Sequence, residues 1–127
     1  HVNEAMNSGE PLFEQLFAGF ACACIRREAW EAVGTMDVSL GKGYCEDLDW
    51  GIRCWGEGFR VVNYRRAWYW HARGATFNKL IQDCQYTKEA PYEAAERVKA
   101  KWPWLWNGEP FEATMARMKG WYGDAVS

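Results

Sequence analysis

Long apolar runs are missing from this chain of 127 residues, and none approaches the roughly 20 residues that a membrane-spanning helix needs. A basic stripe is missing too, since the 15 Lys and Arg residues are scattered and the formal net charge is -2. Nucleic-acid binding requires a basic surface, so this charge argues against such a partner. No internal repeat or low-complexity tract is present. We expect one ordinary globular domain, cytoplasmic or peripheral to a membrane.

Paired metal-binding cysteine spacing is also absent. The five cysteines contain no C-x-x-C pair, and an odd number without regular spacing does not indicate a disulfide framework. Cys22 and Cys24 lie in an alternating stretch, which would turn both thiols to one side of a strand. We interpret the cysteines as reduced, buried thiols; a zinc or redox site is the less favoured alternative.

Aromatic residues, in contrast, are abundant at 17% of the chain, and several surround the acidic segment Glu46–Asp49. Carboxylates are stabilised in the first turn of a helix, so plain capping is one explanation for this segment. Capping does not require three acids, however. Gly41 and Gly43 precede the acids and permit close approach of a ligand to the backbone. Tyr44 and Trp50 flank them and provide rings that stack on sugar faces.

These residue types suit transfer of a sugar to a hydroxyl group. A carboxylate fixed at a helix start can accept the hydroxyl proton while the oxygen attacks carbon, and its neighbour can orient the hydroxyl. One base suffices when a nucleoside diphosphate leaves, because a metal ion can stabilise the departing charge. Glycoside hydrolysis is the competing use, but it needs two acids across a cleft. His71, at a predicted strand end, is either a metal ligand or a hydrogen-bonded histidine capping an aromatic core.

The apolar pattern predicts an α/β or α+β domain that follows a mobile lead-in at residues 1–12 and ends in a helical tail. The helix at 46–56 has the clearest signal, because Leu48, Ile52 and Trp55 form one apolar stripe. Asp49 and Arg53 are four apart and are expected to pair on its surface. The predicted elements are a strand at 13–25, helices at 26–33 and 46–56, strands at 59–63 and 67–71, and helices at 77–86, 91–101 and 109–121.

The order of these elements resembles the C-terminal, acceptor-side half of family 2 glycosyltransferases with the GT-A fold. The resemblance covers about residues 17–77 and rests on five features in the right order. They are a small-residue strand (Gly19–Arg27), a glycine loop (Val33–Asp37), a Glu-Asp-x-Asp helix (Glu46–Asp49), a Gly-Phe-Arg-Val strand (Gly58–Val61) and a strand that ends in histidine (His71). It implies half of a mixed sheet flanked by helices at residues 13–77, with the tail at 78–127 packing on it or exchanging between copies.

The resemblance also implies residue roles. Asp47 is the general base that accepts the proton of the acceptor hydroxyl. The other implied roles are acceptor binding by Glu46, Asp49, Tyr44 and Trp50, support by Arg53, and binding of Mg²⁺ or Mn²⁺ by His71. Cys45 departs from the family pattern, which commonly has glycine there.

Relatives carry a nucleotide-binding half and a separate Asp-x-Asp metal motif before this region, and nothing upstream of Gly19 supplies them. We therefore expect a piece of a transferase that is inactive alone, with nucleotide-sugar donor and sugar acceptor as partners of the full enzyme. A half-fold must cover its exposed face, so self-association is expected. The alternative is a non-catalytic module that binds carbohydrate or protein through exposed aromatics, drawn from Trp68, Trp70, Trp102, Trp104 and Trp106.

Overall fold

The computed structural model describes residues 11–41, 43–67, 69–72, 75–83, 85–106 and 116. This part of the chain is a mixed α/β structure with four helices and a small antiparallel sheet. Its elements, in chain order, are β1 (Leu12–Glu14), α1 (Arg27–Val33), a 3-10 turn (Val38–Leu40), α2 (Glu46–Gly56), β2 (Val62–Tyr64), α3 (Ala75–Gln82), α4 (Ala90–Lys101) and a 3-10 turn (Pro103–Trp106). None of the helices described is long and apolar enough to cross a membrane.

The sheet pairs β1 with β2, and Leu12 lies opposite Tyr64. It has two strands in the described part of the chain, so a mixed sheet of the GT-A type is not confirmed and stays a prediction. Of the lead-in expected at residues 1–12, only Pro11 and Leu12 are described, and Leu12 already begins β1.

The strand predicted at 13–25 is wrong beyond Glu14. The chain turns instead, with the N–H of Cys22 donating to the carbonyl of Gly19 at 3.3 Å. Cys22 and Cys24 are exposed, whereas Cys54 is buried, so the expectation of buried thiols holds for Cys54 only among these three. Glycine and alanine contribute little strand propensity or packing volume, and this stretch finds no ladder partner within the described residues.

The helix predictions agree with the structure more closely than the strand prediction at 13–25. α2 has the predicted bounds, and its residues Ile52 and Trp55 are fully buried. α1 ends at Gly34, whose φ of 79° is the left-handed conformation that favours glycine. α4 begins one residue before its predicted start, with proline in its first turn. α3 begins and ends earlier than predicted.

The two remaining strand predictions are partly or wholly wrong. The strand expected at 59–63 is shifted to Val62–Tyr64. The strand expected at 67–71 does not form in its described residues, 67 and 69–71, because turns and irregular backbone follow β2 there. The helix expected at 109–121 lies outside the described residues apart from position 116.

The core is built around α2. Trp50 stacks on Trp30 with ring centroids 6.1 Å apart and meets Phe20 edge-on at 5.8 Å. The tail packs on this core through three residues that follow α4 or lie in the last turn: Trp102, Trp104 and Leu105. These three side chains are partly buried against the core, so the described residues 102–105 of the tail are packed as part of the fold.

Candidate functional site

An open groove of about 860 Å³ lies beside α2, between the irregular segment 18–26 and the segment 58–64 that contains β2. Its volume is in the range of ligand sites, about 300–1,000 Å³. Apolar residues dominate its lining, among them Phe20, Ile25, Trp50 and Phe59. Asp47 is the one carboxylate among its described lining residues.

The backbone that leads into the acidic segment is strained. Three consecutive residues, Gly43, Tyr44 and Cys45, have positive φ values of 90°, 69° and 63°. For a residue other than glycine this conformation costs on the order of 1–3 kcal/mol, and it clusters at functional sites. The carbonyl of Cys45 then accepts the first helical bond, from the N–H of Asp49 at 3.0 Å. The strained turn therefore sets where the first turn of α2 presents its acids.

Asp47 is half-buried in the groove. Its Oδ1 accepts the N–H of Leu48 at 2.8 Å, and its Oδ2 lies 3.9 Å from the place a β-carbon on Gly19 would occupy. Burial raises the pKa of Asp47, outweighing the backbone amides of Leu48, Asp47 and Phe20, which lower it. A carboxylate with a raised pKa that still reaches an open groove is suited to accept a proton.

Glu46 does not line the groove, and its charge acts on Tyr86, one of three rings that we call the aromatic cluster: Tyr44, Phe77 and Tyr86. Tyr44 stacks on Phe77 at 4.5 Å, and Phe77 contacts Tyr86 at 5.1 Å. Burial raises the pKa of Tyr86, and the charges of Tyr44 and Glu46 add to the effect. Oε2 of Glu46 is buried and has no hydrogen-bond partner in the described part of the chain. The acidic pair is thus divided between two neighbouring environments.

Asp49 is fully buried at 0% exposure and does not line the groove. Arg53 Nε donates to its Oδ2 at 2.9 Å, Trp102 Nε1 to its Oδ1 at 2.7 Å, and Lys101 Nζ lies 2.8 Å from the same Oδ1. The predicted pairing with Arg53 is therefore correct, but its predicted place on the surface is wrong, because the residues after α4 cover it. These contacts favour a structural role for Asp49, and the acceptor binding that the resemblance implies stays a prediction.

Arg53 and Trp50 tie α2 to the end of α1. Arg53 Nη1 donates to the carbonyl of Val33 at 2.7 Å and Nη2 to that of Thr35 at 2.9 Å. Trp50 Nε1 donates to the carbonyl of Gly34 at 2.9 Å. Arg53 thus lies where a supporting residue would, and Trp50 lines the groove while it is almost wholly buried in the core.

His71 is exposed and meets the ring of Tyr69 edge-on at 6.5 Å. It does not line the groove, and the described residues contain no group of three or more His, Cys, Asp and Glu that could hold a metal ion. The binding of Mg²⁺ or Mn²⁺ by His71, which the resemblance implies for the full enzyme, therefore stays a prediction.

The sequence reasoning missed Lys101 and Trp102, which reach α2 from the tail. Lys101 Nζ lies 2.6 Å from Oδ2 of Asp37 as well as 2.8 Å from Asp49. The bond from Lys101, followed by those from Ser39, holds the pKa of Asp37 well below its usual range. No local sequence pattern predicts these contacts, because lysine is common on the surface of a helix end and tryptophan is common in a core.

No protein-family model, curated protein or solved structure matches this chain. The case for any function therefore depends on the motifs of the sequence and on the geometry of the groove.

Proposed function

We propose that this chain is the acceptor-side part of a glycosyltransferase, which moves a sugar from a nucleotide-sugar donor to an acceptor hydroxyl with Asp47 as general base. The observation that supports it most is the position of Asp47, a half-buried carboxylate with a raised pKa in an open groove. The strained Tyr44 and Cys45 immediately before it add support, because such strain is typical of functional sites.

In the proposed reaction the acceptor hydroxyl lies in the groove within hydrogen-bond reach of Asp47. Its oxygen forms a bond to the anomeric carbon of the donor sugar, while the bond from that carbon to the diphosphate breaks. The hydroxyl proton passes to the carboxylate of Asp47, and the nucleoside diphosphate leaves with the bonding electrons. General base catalysis of this kind contributes about 10²–10⁴ in rate.

The acceptor is bound, in this proposal, between the groove and the aromatic cluster. Tyr44 is 37% exposed and offers a ring to a sugar face. Oε2 of Glu46 is buried without a partner among the described residues and is the proposed hydrogen-bond acceptor for a second hydroxyl of the sugar acceptor. We propose that a further part of the polypeptide or a second copy supplies donor binding and any divalent metal, and that His71 contributes to the shell of that metal.

The test is transfer by the full natural polypeptide, supplied with UDP-sugars and GDP-sugars and a panel of oligosaccharide acceptors. Release of nucleoside diphosphate and formation of the glycoside are both measured. Asp47→Asn should reduce transfer by about 10²-fold or more without loss of folding. Asp83→Asn, the same change at an exposed residue, is the matched control and should leave transfer unchanged. Full transfer by Asp47→Asn would remove Asp47 as the base.

A second candidate, a carbohydrate-binding or protein-binding module without turnover, is favoured by one observation. Trp70 is 87% exposed and Tyr69 58% exposed, whereas Trp102 and Trp104 are partly buried against the core. Trp68 and the side chain of Trp106 lie outside the described part. Binding of oligosaccharides without donor, monitored by tryptophan fluorescence, would support this candidate if Trp70→Ala abolished the response and no donor yielded transfer.

A further inference from the structure

We propose that α4 is a clamp that holds the described residues of segment 37–49, all but residue 42, in their strained shape, which makes Arg97, Lys101 and Trp102 positioning residues for Asp47. The three residues lie on one face of the end of α4 and just beyond it, and each contacts the segment. The functional consequence rests on the proposed role of Asp47, whereas the mechanical claim concerns the chain alone.

The first contact is at the middle of the segment. Arg97 Nη1 donates to the carbonyl of Leu40 at 3.0 Å, where the 3-10 turn ends. Gly41 follows with a φ of 116°, and a β-carbon there would lie 2.9 Å from Arg97 Nη1. Arg97 therefore packs against the backbone at the point where the chain departs toward the strained turn.

The second contact joins both ends of the segment. Lys101 Nζ lies between Oδ2 of Asp37 at 2.6 Å and Oδ1 of Asp49 at 2.8 Å. Asp37 also accepts the N–H of Ser39 at 3.0 Å and thereby begins the 3-10 turn. Asp49 lies in the first turn of α2 and is buried. One ammonium group thus connects the first and last residues of the segment, and Trp102 secures the Asp49 end.

The electrostatics keep this ammonium charged. Burial works against the charged form of Lys101, but the hydrogen bonds that its ammonium donates to Asp37 and Asp49 together outweigh burial and raise the pKa of Lys101. Among the described residues Arg53 is the other cation facing Asp49, and on α4 Arg97 lies one turn before Lys101 and Glu93 two turns before it. The clamp is therefore intact throughout the neutral range.

The strained backbone between Asp37 and Asp49 requires contacts from outside the segment to hold it. Tyr44 and Cys45 both hold positive φ values, and strain of this kind persists only where surrounding structure over-determines it. Within the described part of the chain, outside contacts reach this segment from α4, from the ring of Phe77 on Tyr44, from the amide of Phe20 on Asp47, and through the bonds of α2 to α1. Releasing Lys101 should let the turn relax and move the first turn of α2 relative to Gly19.

The experiment is a stability cycle in the full chain. Cys45→Gly relieves strain that Cys45→Ala retains, so in the native background Gly should exceed Ala by about five-fold or more in the folding equilibrium constant. The comparison is then repeated with Lys101→Met and with Lys99→Met. Lys99 is the matched control, a lysine of the same helix whose ion pair with Glu96, at 3.8 Å, lies on the surface.

In the Lys101→Met background, the folding equilibrium constant of Cys45→Gly should exceed that of Cys45→Ala by less than about two-fold. In the Lys99→Met background, the full difference of about five-fold should persist. An undiminished advantage with Lys101→Met would overturn the proposal. Should Lys101→Met fail to fold, the cycle is repeated with Trp102→Phe, which keeps a ring and removes one contact to Asp49. An undiminished advantage there overturns the proposal equally.

A second readout follows the position of Asp47 itself. The amide of Phe20 bonds to Asp47, so its NMR shift should follow the titration of that carboxylate in the native chain. Lys101→Met should reduce the amplitude at least two-fold, and Lys99→Met should not; an unchanged amplitude would contradict the claim. Neither readout involves a sugar, so failure of the clamp and failure of the transferase proposal remain distinguishable.

Discussion

The indole Nε1–H of Trp102 donates to Oδ1 of Asp49 at 2.7 Å although 53 positions separate the two residues. The carboxylate is fully buried, and a buried charge is tolerated only when it is paired and hydrogen-bonded. Arg53, Lys101 and Trp102 together meet this requirement. The helix that carries Asp47 is therefore fixed by a residue beyond the end of α4.

Removing this one donor should destabilise the chain measurably. Trp102→Phe keeps an aromatic ring but leaves Asp49 without its indole partner, and a hydrogen bond to a charged group contributes about 1.5–3 kcal/mol. We expect a loss of that size in the free energy of unfolding, measured with urea. Trp30→Phe is the control, because Trp30 is 38% exposed and stacks on Trp50 without contacting Asp49. Equal losses in both variants would contradict the assignment.

Two glycines of α2 should respond oppositely to alanine. A β-carbon on Gly51 would lie 2.6 Å from Cβ of Phe17 and 2.7 Å from the carbonyl oxygen of Leu16, so Gly51→Ala must displace backbone and should destabilise by about 1–3 kcal/mol. Gly56 has no atom within 4 Å of such a β-carbon, so Gly56→Ala should stabilise by about 0.5–1 kcal/mol. Thermal unfolding of both variants measures these changes. A Gly51→Ala variant as stable as the native chain would show that residues 16–17 do not pack against Gly51.

The ionised carboxylate of Asp47 should lower the free energy of unfolding of the chain at neutral pH. Burial raises its folded pKa above the unfolded value, so the folded state binds more protons and its stability falls as pH rises between the two values. Asp47→Asn lacks this penalty, since the amide stays neutral and can still accept the N–H of Leu48. The free energy of unfolding of the variant, minus that of the native chain, should therefore increase as the pH rises from about 3 to about 7.

Urea unfolding at both pH values measures this gain, with Asp83→Asn as the exposed control. A gain that shrinks with rising pH would contradict the raised pKa.

The helices could be predicted from the sequence because their signals are local. The apolar stripe of Leu48, Ile52 and Trp55 defines α2, and the left-handed Gly34 ends α1. The strands could not be predicted as well, because a strand exists only with its partner, and β1 pairs with residues about fifty positions away. Small apolar residues at 18–25 gave the composition of a buried strand without the partner.

The candidate site was predicted to a similar degree. The sequence indicated Asp47 and Trp50, and both line the groove. It could not reveal that Trp102 covers Asp49, or that the charge of Glu46 acts on Tyr86, because these neighbours come from distant parts of the chain. The positive φ of Tyr44 and Cys45 has no sequence signal either, since neither residue favours that conformation.

The most direct measurement is the pH dependence of kcat/KM for sugar transfer by the full natural polypeptide, native and Asp47→Asn, alongside the NMR titration of the Asp47 carboxyl. We predict an acid limb in the native profile whose midpoint coincides with the titration of Asp47, above the ordinary range for aspartate, and no such limb in the residual rate of the variant. Transfer that retains its rate and its acid limb in Asp47→Asn would contradict the assignment of Asp47 as the base.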